Sequence, residues 1–439
     1  MPNQVEESGI LFGGLPCIRL KEEYLVFSPY VMKLLKLALN DINQESIKNE
    51  LRKIGFFGKP LSDIYNQEDI KITLVTTTDC NLRCKYCYLD AGGATQQYMS
   101  SQTALNALKG MVKLKPNAQG ISVNFFGGEP TLNIDVVKNA VNFVKETQIK
   151  GKFHISTNGI MPVQVLGYLI DNEFQLTVSM DGTPGINDKY RVFENGVGTS
   201  KIVEKAIDKL VESKSHFNIR MTITDANVAN IPKAIVYFSS LGAKYVHLEL
   251  VNAAGRAIRN ELQQPDYDQY YHFFVQGVEE AEKHNTYIIN SVLMNLLTPS
   301  TFFCISVKGG MFIITPAGNI TLCYQAIESN PFFKKFCLGY VASHGLKINS
   351  KKLRVMSNIG IETSDECKDC FAKFICSSGC PLRNMVIKAK KHNSLALCNF
   401  RRKMVYYAIL QLYYAGRKGK VSPVLGTSLF ENCKIGGLN

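Results

Sequence analysis

Two kinds of hydrophobic pattern alternate along the chain from residue 71 to about residue 283. Short apolar runs rich in β-branched residues predict strands, and apolar residues at three- and four-residue spacing predict helices. The predicted strands are Ile72–Thr76, Ile121–Phe126, Phe153–Ser156, Leu176–Met180, Ile219–Ile223 and Tyr245–Leu250. The predicted helices are Ala104–Leu114, Val136–Thr147, Ile202–Glu212, Ile231–Leu241 and Tyr267–Lys283. This order predicts a parallel sheet with crossover helices, in which the chemistry lies at the carboxyl ends of the strands.

The pattern differs at both ends of the chain. Residues 1–70 read as a separate small unit, with strands at Ile18–Leu20 and Tyr24–Phe27 and helices at Val31–Leu39 and Ser46–Ile54. Beyond residue 300, short strands at Met311–Thr315 and Ile320–Tyr324 lie among cysteines, and a helix is predicted at Leu395–Tyr414. Residues 416–439 are rich in Gly, Lys and Ser and are expected to be loosely ordered. We therefore expect four segments: residues 1–70, 71–300, 301–415 and 416–439.

Composition narrows the class of protein. The 439 residues are 46% hydrophobic and 20% charged, as in a soluble globular chain, and no run of eighteen apolar residues predicts a membrane span. The first residues lack the pattern of a secretion signal, so we expect a cytoplasmic protein. Clustered cysteines in a reducing compartment bind metal more often than they form disulfides, and this chain has 13 cysteines. Because the Lys and Arg residues are scattered, no nucleic-acid partner is expected despite the net charge of +13.

The first cysteine set follows the first predicted strand of the sheet. Cys80, Cys84 and Cys87 form the pattern CxxxCxxC in one short loop. Three thiolates can hold three irons of a 4Fe–4S cube and leave the fourth iron without a protein ligand. The alternative is a structural zinc ion, but zinc usually takes four ligands, and no fourth Cys or His lies nearby in the sequence. The spacing favours the iron–sulfur cluster.

This loop and four later segments resemble the radical S-adenosylmethionine (SAM) superfamily. CxxxCxYC after the first strand is followed in order by the segments Gly127-Gly128-Glu129-Pro130, Ser156-Thr157-Asn158-Gly159, Ser179-Met180-Asp181-Gly182 and Asp188-Lys189-Tyr190-Arg191. The resemblance implies an α/β fold with a partial (β/α)6 barrel of TIM type. It also implies that SAM chelates the open iron and is cleaved reductively to a 5′-deoxyadenosyl radical.

The resemblance also implies a set of SAM contacts. Gly127 and Gly128 allow the backbone to approach, and Glu129 accepts from the amino group of SAM. Ser156, Asn158, Ser179 and Asp181 are placed at the ribose and methionine parts, Arg191 at the carboxylate and Tyr86 near the adenine. Ordinary roles are the alternatives: Asn-Gly and Asp-Gly are favoured turn pairs, Arg191 could form a surface salt bridge and Tyr86 could be a core aromatic. No catalytic residue is assigned.

The second cysteine set resembles the seven-cysteine SPASM extension of radical SAM enzymes that modify peptides and proteins. The pattern is C304-x13-Gly318-x4-C323, then C367-x2-C370-x5-C376-x3-C380, then C398. The resemblance implies two auxiliary 4Fe–4S clusters, and thus three clusters in all. The outer cluster is assigned to Cys367, Cys370, Cys376 and Cys398, and the inner cluster to Cys304, Cys323 and Cys380. Zinc is the alternative, since CxxC also serves zinc.

The inner cluster has three clear ligands by this resemblance. Some relatives supply a fourth cysteine at the position that Gly310 occupies here. Either Cys337 is the fourth ligand or the cluster has an open iron. Cys17 and Cys433 match no motif and are interpreted as bystanders.

Three functions fit these motifs. The first is a maturase that crosslinks or otherwise alters a ribosomally made precursor peptide. Residues 1–70 are interpreted as a winged-helix-like domain that recognises the leader of this peptide, which adds a strand to its sheet. The second is an anaerobic sulfatase maturase that forms formylglycine; such enzymes carry an Asp after the second SPASM cysteine, where this chain has Tyr324. The third is a non-catalytic electron-transfer protein. Either enzyme would need a flavodoxin- or ferredoxin-type reductant, and the peptide maturase is favoured.

Overall fold

The computed structural model describes residues 5–12, 15–20, 23–30, 33–38, 44–53, 55–57, 69–93, 95–296, 298–389, 394–417, 421–424 and 435–437. Its strands are β1 Val5–Phe12, β2 Leu15–Leu20, β3 Glu23–Ser28, β4 Lys33–Ala38, β5 Ile70–Thr77, β6 Gly120–Gly127, β7 Lys150–Thr157, β8 Gln175–Ser179, β9 Phe217–Ile223, β10 Tyr245–Leu250, β11 Tyr287–Ile289, β12 Phe312–Ile314, β13 Asn319–Thr321, β14 Cys337–Ala342, β15 Gly345–Ile348 and β16 Ile435–Gly437. Its helices are α1 Gln44–Lys53, α2 Ser101–Leu114, α3 Ile134–Glu146, α4 Val163–Asp171, α5 Pro184–Tyr190, α6 Ser200–Glu212, α7 Ile231–Ser240, α8 Arg256–Arg259, α9 Tyr267–Lys283, α10 Phe333–Phe336, α11 Ser350–Ser357, α12 Lys373–Cys376, α13 Pro381–Ala389 and α14 Ser394–Arg417. Within these ranges, no helix has the length and apolar character needed to cross a membrane.

The chain forms two compact units. The first unit contains residues 1–65, 287–304 and 358–439, and the second contains residues 66–286 and 305–357. These units group the chain differently from the four segments expected from the sequence, which remain predictions.

The second unit is built on the predicted parallel sheet. Strands β5 to β10 lie side by side in chain order and pair in parallel, and β12 extends the sheet on the other side of β5. Strands β13, β14 and β15 then continue it as an antiparallel meander. The expected α/β class with a partial (β/α)6 barrel is thereby confirmed, as are all six predicted barrel strands.

The two faces of this sheet differ in polarity. On β6, Ile121, Val123 and Phe125 are buried, whereas Ser122 and Asn124 between them are only half-buried. Successive residues of a strand point to opposite faces, so one face is apolar and the other is polar. Helix α3 offers a buried stripe at helical spacing, of which Val137 and Val144 are examples. The helices therefore pack against the apolar face of the sheet, and the polar face is the one on which we expect the functional site.

The N-terminal part of the first unit differs from the expectation. The predicted helix Val31–Leu39 is wrong: Lys33–Ala38 form β4, which pairs antiparallel with β3. A short apolar run is ambiguous between helix and strand, and here pairing along six residues of β3 selects the strand. The helix predicted at Ser46–Ile54 is confirmed as α1 over the described residues.

The first unit contains a five-stranded sheet in the order β1-β2-β3-β4-β16. Strand β1, which the sequence patterns did not indicate, lies at one edge of this sheet. At the other edge, Ile435–Gly437 of the supposedly loose tail pair in parallel with β4. Cys17 is buried beneath the sheet among Leu15, Val26 and Leu35, and Cys433 lies outside the described residues.

Candidate functional site

The first cysteine set lies in the loop that follows β5, at the carboxyl edge of the sheet. The pKa of the Cys80 thiol is raised to about 12, mainly by burial and in addition by Glu129 and the thiols of Cys84 and Cys87. The three thiols therefore lie near one another in a water-poor setting. Within the described ranges no three His, Cys, Asp or Glu side chains are arranged for a single metal ion. A cube spreads its ligands over different irons, so its site is wider than that of one ion.

Two glycines allow the end of β6 to lie directly against the start of the cysteine loop. The amide of Gly128 donates to Thr77 O at 2.9 Å, and the amide of Glu129 donates to Asp79 O at 2.8 Å. A Cβ on Gly127 would lie 2.2 Å from Thr77 O, and a Cβ on Gly128 would lie 2.0 Å from Asp79 O. Gly127 also has a φ of +146°, which disfavours any residue with a side chain. The Gly-Gly pair thus fixes where the cysteine loop begins.

We expect Gly128→Ala to destabilise the protein by about 1–3 kcal/mol, because the new methyl group collides with backbone rather than with a movable side chain. Gly167→Ala is the matched control. Nothing lies within 4 Å of a Cβ at Gly167 in α4, and alanine is favoured over glycine inside a helix by about 0.5–1 kcal/mol. Thermal unfolding of the anaerobically purified variants measures both effects. Equal melting temperatures for Gly128→Ala and wild type would contradict the close approach.

Glu129 is fully buried and connects the ends of β6 and β7. Its Oε1 accepts from Thr131 N at 3.1 Å, Thr131 Oγ1 at 2.7 Å and Thr157 Oγ1 at 2.9 Å, and its Oε2 accepts from Asn158 N at 2.7 Å. Burial raises the pKa of this carboxyl group, and the hydrogen bonds oppose that rise. Glu129 therefore holds the two strand ends together, and its contact with the SAM amino group remains a prediction.

The segment Ser156–Gly159 is also directed at the cysteine loop. The side-chain amide of Asn158 donates to Asn81 Oδ1 at 2.7 Å and lies 3.7 Å from the sulfur of Cys80. The side-chain amide of Asn81 donates in turn to Ile160 O at 3.0 Å. Ser156 is half-buried on β7 in register with Thr177 of β8. Asn158 is thus more than a turn residue, because it touches a candidate ligand.

Tyr86, Asp181 and Arg191 form a buried chain of hydrogen bonds. Nη1 of Arg191 donates to the Tyr86 hydroxyl at 2.7 Å, and that hydroxyl donates to Oδ2 of Asp181. Oδ1 of Asp181 accepts from Thr222 N at 2.9 Å. Burial raises the pKa of Asp181, and the Arg191 charge opposes the rise. Ser179 is half-buried at the end of β8 and takes no part in this chain among the described contacts.

Arg191 has a spare donor in this buried setting. The side chain is 6% exposed, so a surface salt bridge does not describe it. Its Nε is buried and has no hydrogen-bond partner among the described residues. A buried cationic N–H without an acceptor is costly, and a ligand carboxylate would satisfy it. The arrangement therefore fits the SAM carboxylate expected from the sequence.

The polar face of the sheet carries further charged and aromatic residues that the sequence patterns did not single out. Arg220 of β9 lies in register between Ser179 of β8 and His247 of β10, and His247 Nε2 lies 3.3 Å from Oε2 of the buried Glu249. Only their alternation with buried apolar residues along β9 and β10 could have indicated these positions.

Two aromatic residues, Tyr88 and Tyr324, lie at this polar face near the cysteine loop. The hydroxyl of Tyr88 is buried and has no hydrogen-bond partner in the described part of the chain. Burial raises the pKa of Tyr88, the neighbouring groups of Tyr324, Cys87 and Cys323 raise it further, and Arg220 opposes the rise. The ring of Tyr324 packs against Phe126 at a centroid distance of 4.9 Å. Tyr324 and Cys323 therefore lie beside the first cysteine set.

The four cysteines assigned to the outer cluster converge in the first unit. The pKa of Cys376 is raised to about 12, mainly by burial; Arg401 opposes the rise, and the nearby thiols of Cys370, Cys367 and Cys398 contribute to it. Cys376 ends α12, Cys398 lies on α14, and the amide of Cys370 donates to Cys367 O at 3.3 Å. Sequence positions up to 31 residues apart are thus brought to one place. Their role as cluster ligands remains a prediction.

The inner set is divided between the two units. Cys304 and Cys380 belong to the first unit, and Cys323 belongs to the second, so this assignment remains a prediction. Cys337 begins β14 in register with Thr321, and its thiol lies 3.6 Å from Gly339 O. It also lines a surface pocket with Lys347 and Lys352.

Comparisons with known proteins indicate which family the chain resembles. Residues 74–235 match the family described as the Radical SAM superfamily. The chain is 25% identical over 327 residues to the cysteine-type anaerobic sulfatase-maturating enzyme of Clostridium novyi, covering 69% of this chain and 85% of that enzyme.

Two solved structures share the fold. The structure of native anSMEcpe with bound AdoMet and Cp18Cys peptide has a TM-score of 0.62 at 19% identity, over 79% of this chain and 99% of that one. Streptococcus suis SuiB bound to the precursor peptide SuiA has a TM-score of 0.53 at 15% identity, over 81% and 80%.

Proposed function

We propose that this chain, which is a radical SAM enzyme, uses its radical to modify a ribosomally made precursor peptide by installing a carbon–carbon or thioether crosslink or a related change. SAM and a 4Fe–4S cluster are the cofactors of such an enzyme, and we assign the cluster to Cys80, Cys84 and Cys87. When bound, the cluster supplies the electron that splits SAM into methionine and a 5′-deoxyadenosyl radical.

The residues of the site have separate tasks in this proposal. Arg191 offers its buried Nε to the SAM carboxylate, while Tyr86 and Asp181 fix the orientation of the guanidinium. Glu129 and Asn158 hold the strand ends against the cysteine loop. The burial of these groups keeps water away from the radical.

The polar face beside the loop suits the substrate. A peptide residue placed among Tyr88, Arg220 and Tyr324 would meet donors and aromatic rings next to the first cysteine set. Bound SAM would supply the radical that takes one hydrogen atom from a substrate carbon, and that carbon would then bond to a partner atom of the peptide. One proton and one electron remain to be removed. We assign the electron to an auxiliary cluster, for which the converging thiols of the first unit are the candidate ligands.

The edge strand β1 is the observation that carries the choice of a leader-bearing peptide. It is eight residues long, and among the described residues it pairs only with β2. An open strand edge is the surface to which an extended peptide adds a further strand. A leader held at this edge would leave the rest of the precursor unbound and available for modification.

Sulfatase maturation is the second candidate, because the Clostridium novyi relative is matched over most of its length. Against it stands Tyr324, whose phenol is a much weaker base at neutral pH than the carboxylate expected at that position.

The test is to co-express the enzyme with each small peptide encoded beside its gene and to analyse the peptides by mass spectrometry. The proposal predicts the loss of two hydrogens in one of them, with fragmentation suppressed between the joined residues. A Cys84→Ala co-expression is the control and should leave every peptide unchanged. A sulfatase peptide that gains a hydrazine-reactive aldehyde, with all neighbouring peptides unmodified, would instead establish formylglycine formation.

A further inference from the structure

The segment that follows the last barrel strand returns to the cysteine loop. The backbone amide of Arg256 donates to Cys87 O at 3.0 Å, and its Nε donates to Cys84 O at 2.8 Å. Gly255, with a φ of +56°, makes this approach possible, since a Cβ there would lie 2.5 Å from Cys87 O. One residue at the far end of the barrel sequence thus binds the backbone of two of the three candidate ligands.

The guanidinium of Arg256 also reaches the end of the same loop. Nη1 donates to Ala91 O at 2.9 Å and to Asp90 Oδ1 at 3.1 Å, and the side chain is 11% exposed. The same Asp90 oxygen accepts from Arg259, which is 58% exposed. Two arginines therefore share one carboxylate, and this group carries a net positive charge beside the backbone of Cys84.

We propose that Arg256 is a positioning residue for the cluster: it fixes the shape of the cysteine loop, and its charge raises the reduction potential of the cluster. This inference rests on the proposed assignment of the cluster to Cys80, Cys84 and Cys87. A reduced cluster carries one more negative charge than an oxidised one, so a fixed cation in a poorly screened setting favours reduction. Easier reduction means that more of the enzyme can pass an electron to SAM.

The experiment measures the potential directly and needs no peptide. Wild type and variants are reconstituted anaerobically and titrated with reductant, and the potential is read from the EPR signal that changes when SAM is added. Arg256→Gln is expected to load iron. Its equilibrium constant for reduction should be about tenfold lower than that of wild type, which corresponds to a reduction potential lower by roughly 59 mV. Asp90→Asn, which removes the shared carboxylate, is expected to shift the potential in the opposite direction. Arg259→Gln changes an exposed partner of the same carboxylate and should leave the potential near that of wild type.

The outcomes separate this inference from the proposed function. Arg256→Gln with full iron content and an unchanged potential would overturn the inference. If that variant does not load iron, Asp90→Asn decides: a raised potential supports the charge effect, and an unchanged one overturns it. A wild-type protein without any SAM-responsive cluster would refute the proposed function instead.

Discussion

Replacing Cys84 with alanine is expected to lower 5′-deoxyadenosine formation more than about 100-fold. Loss of a cluster ligand should reduce activity more than loss of a residue that only hydrogen-bonds to a ligand. Cys84 is buried, and Arg191 and Arg256 are close enough to oppose the rise of its pKa that burial causes. No other thiol of the loop could replace it without moving backbone that Arg256 holds through Cys84 O. The assay is anaerobic: reconstituted protein, SAM and dithionite, with the nucleoside quantified by chromatography.

The matched control is Cys17→Ala, which removes a buried thiol from the hydrophobic cluster of the first unit. It should keep both its iron content and its rate of SAM cleavage. Normal turnover by Cys84→Ala would exclude the assignment of the SAM cluster to this loop. Equal losses in both variants would indicate a general effect of cysteine removal on folding.

Replacing Cys376 with alanine is expected to lower the iron content of the protein by the amount in one 4Fe–4S cluster and to abolish peptide modification. The rate of SAM cleavage should stay within a few-fold of that of wild type. The four thiols of this group lie in the first unit, whereas the first cysteine set lies in the second. Loss of the electron acceptor would leave the substrate radical without a route to product. Iron analysis, nucleoside quantification and mass spectrometry of the co-expressed peptide give the three readouts.

Cys398→Ala should reproduce this phenotype, because the same group includes a thiol from α14. Intact iron content in both variants would contradict the outer cluster. Zinc at this site in anaerobically purified wild type would favour the structural-metal alternative.

Most of the barrel could be predicted because its strands are buried on one face and separated by amphipathic helices. The period of the pattern changes from strand to helix and back at each element, so the type of element was readable. Because the carboxyl ends of parallel strands meet at one edge of the sheet, the predicted strand ends indicated that Gly127, Gly128 and Asn158 lie beside the cysteine loop. The structure has them there.

Other parts depended on contacts that no local pattern carries. Lys33–Ala38 became a strand because β3 was available for pairing. Arg256 follows its loop by more than 160 residues, and an isolated arginine after a strand gives no signal of its partners. The alternation of polar and apolar residues along β9 and β10 was visible in the sequence. Which of these polar residues lie near Tyr88 depends on how the sheet curves, which no local pattern encodes.

The hydrogen bonds from residues 255 to 260 to the cysteine loop link the structure of the loop to a segment that is synthesised much later. The carbonyl of Lys85 accepts from Asn260, and the carbonyls of Cys84 and Cys87 accept from Arg256, so the loop is complete only when these later residues have left the ribosome. A nascent chain that ends before Gly255 would expose three thiols without their backbone support. The cysteine loop therefore gains its full set of native backbone hydrogen bonds only after the last strand of the barrel and the residues that follow it have been made.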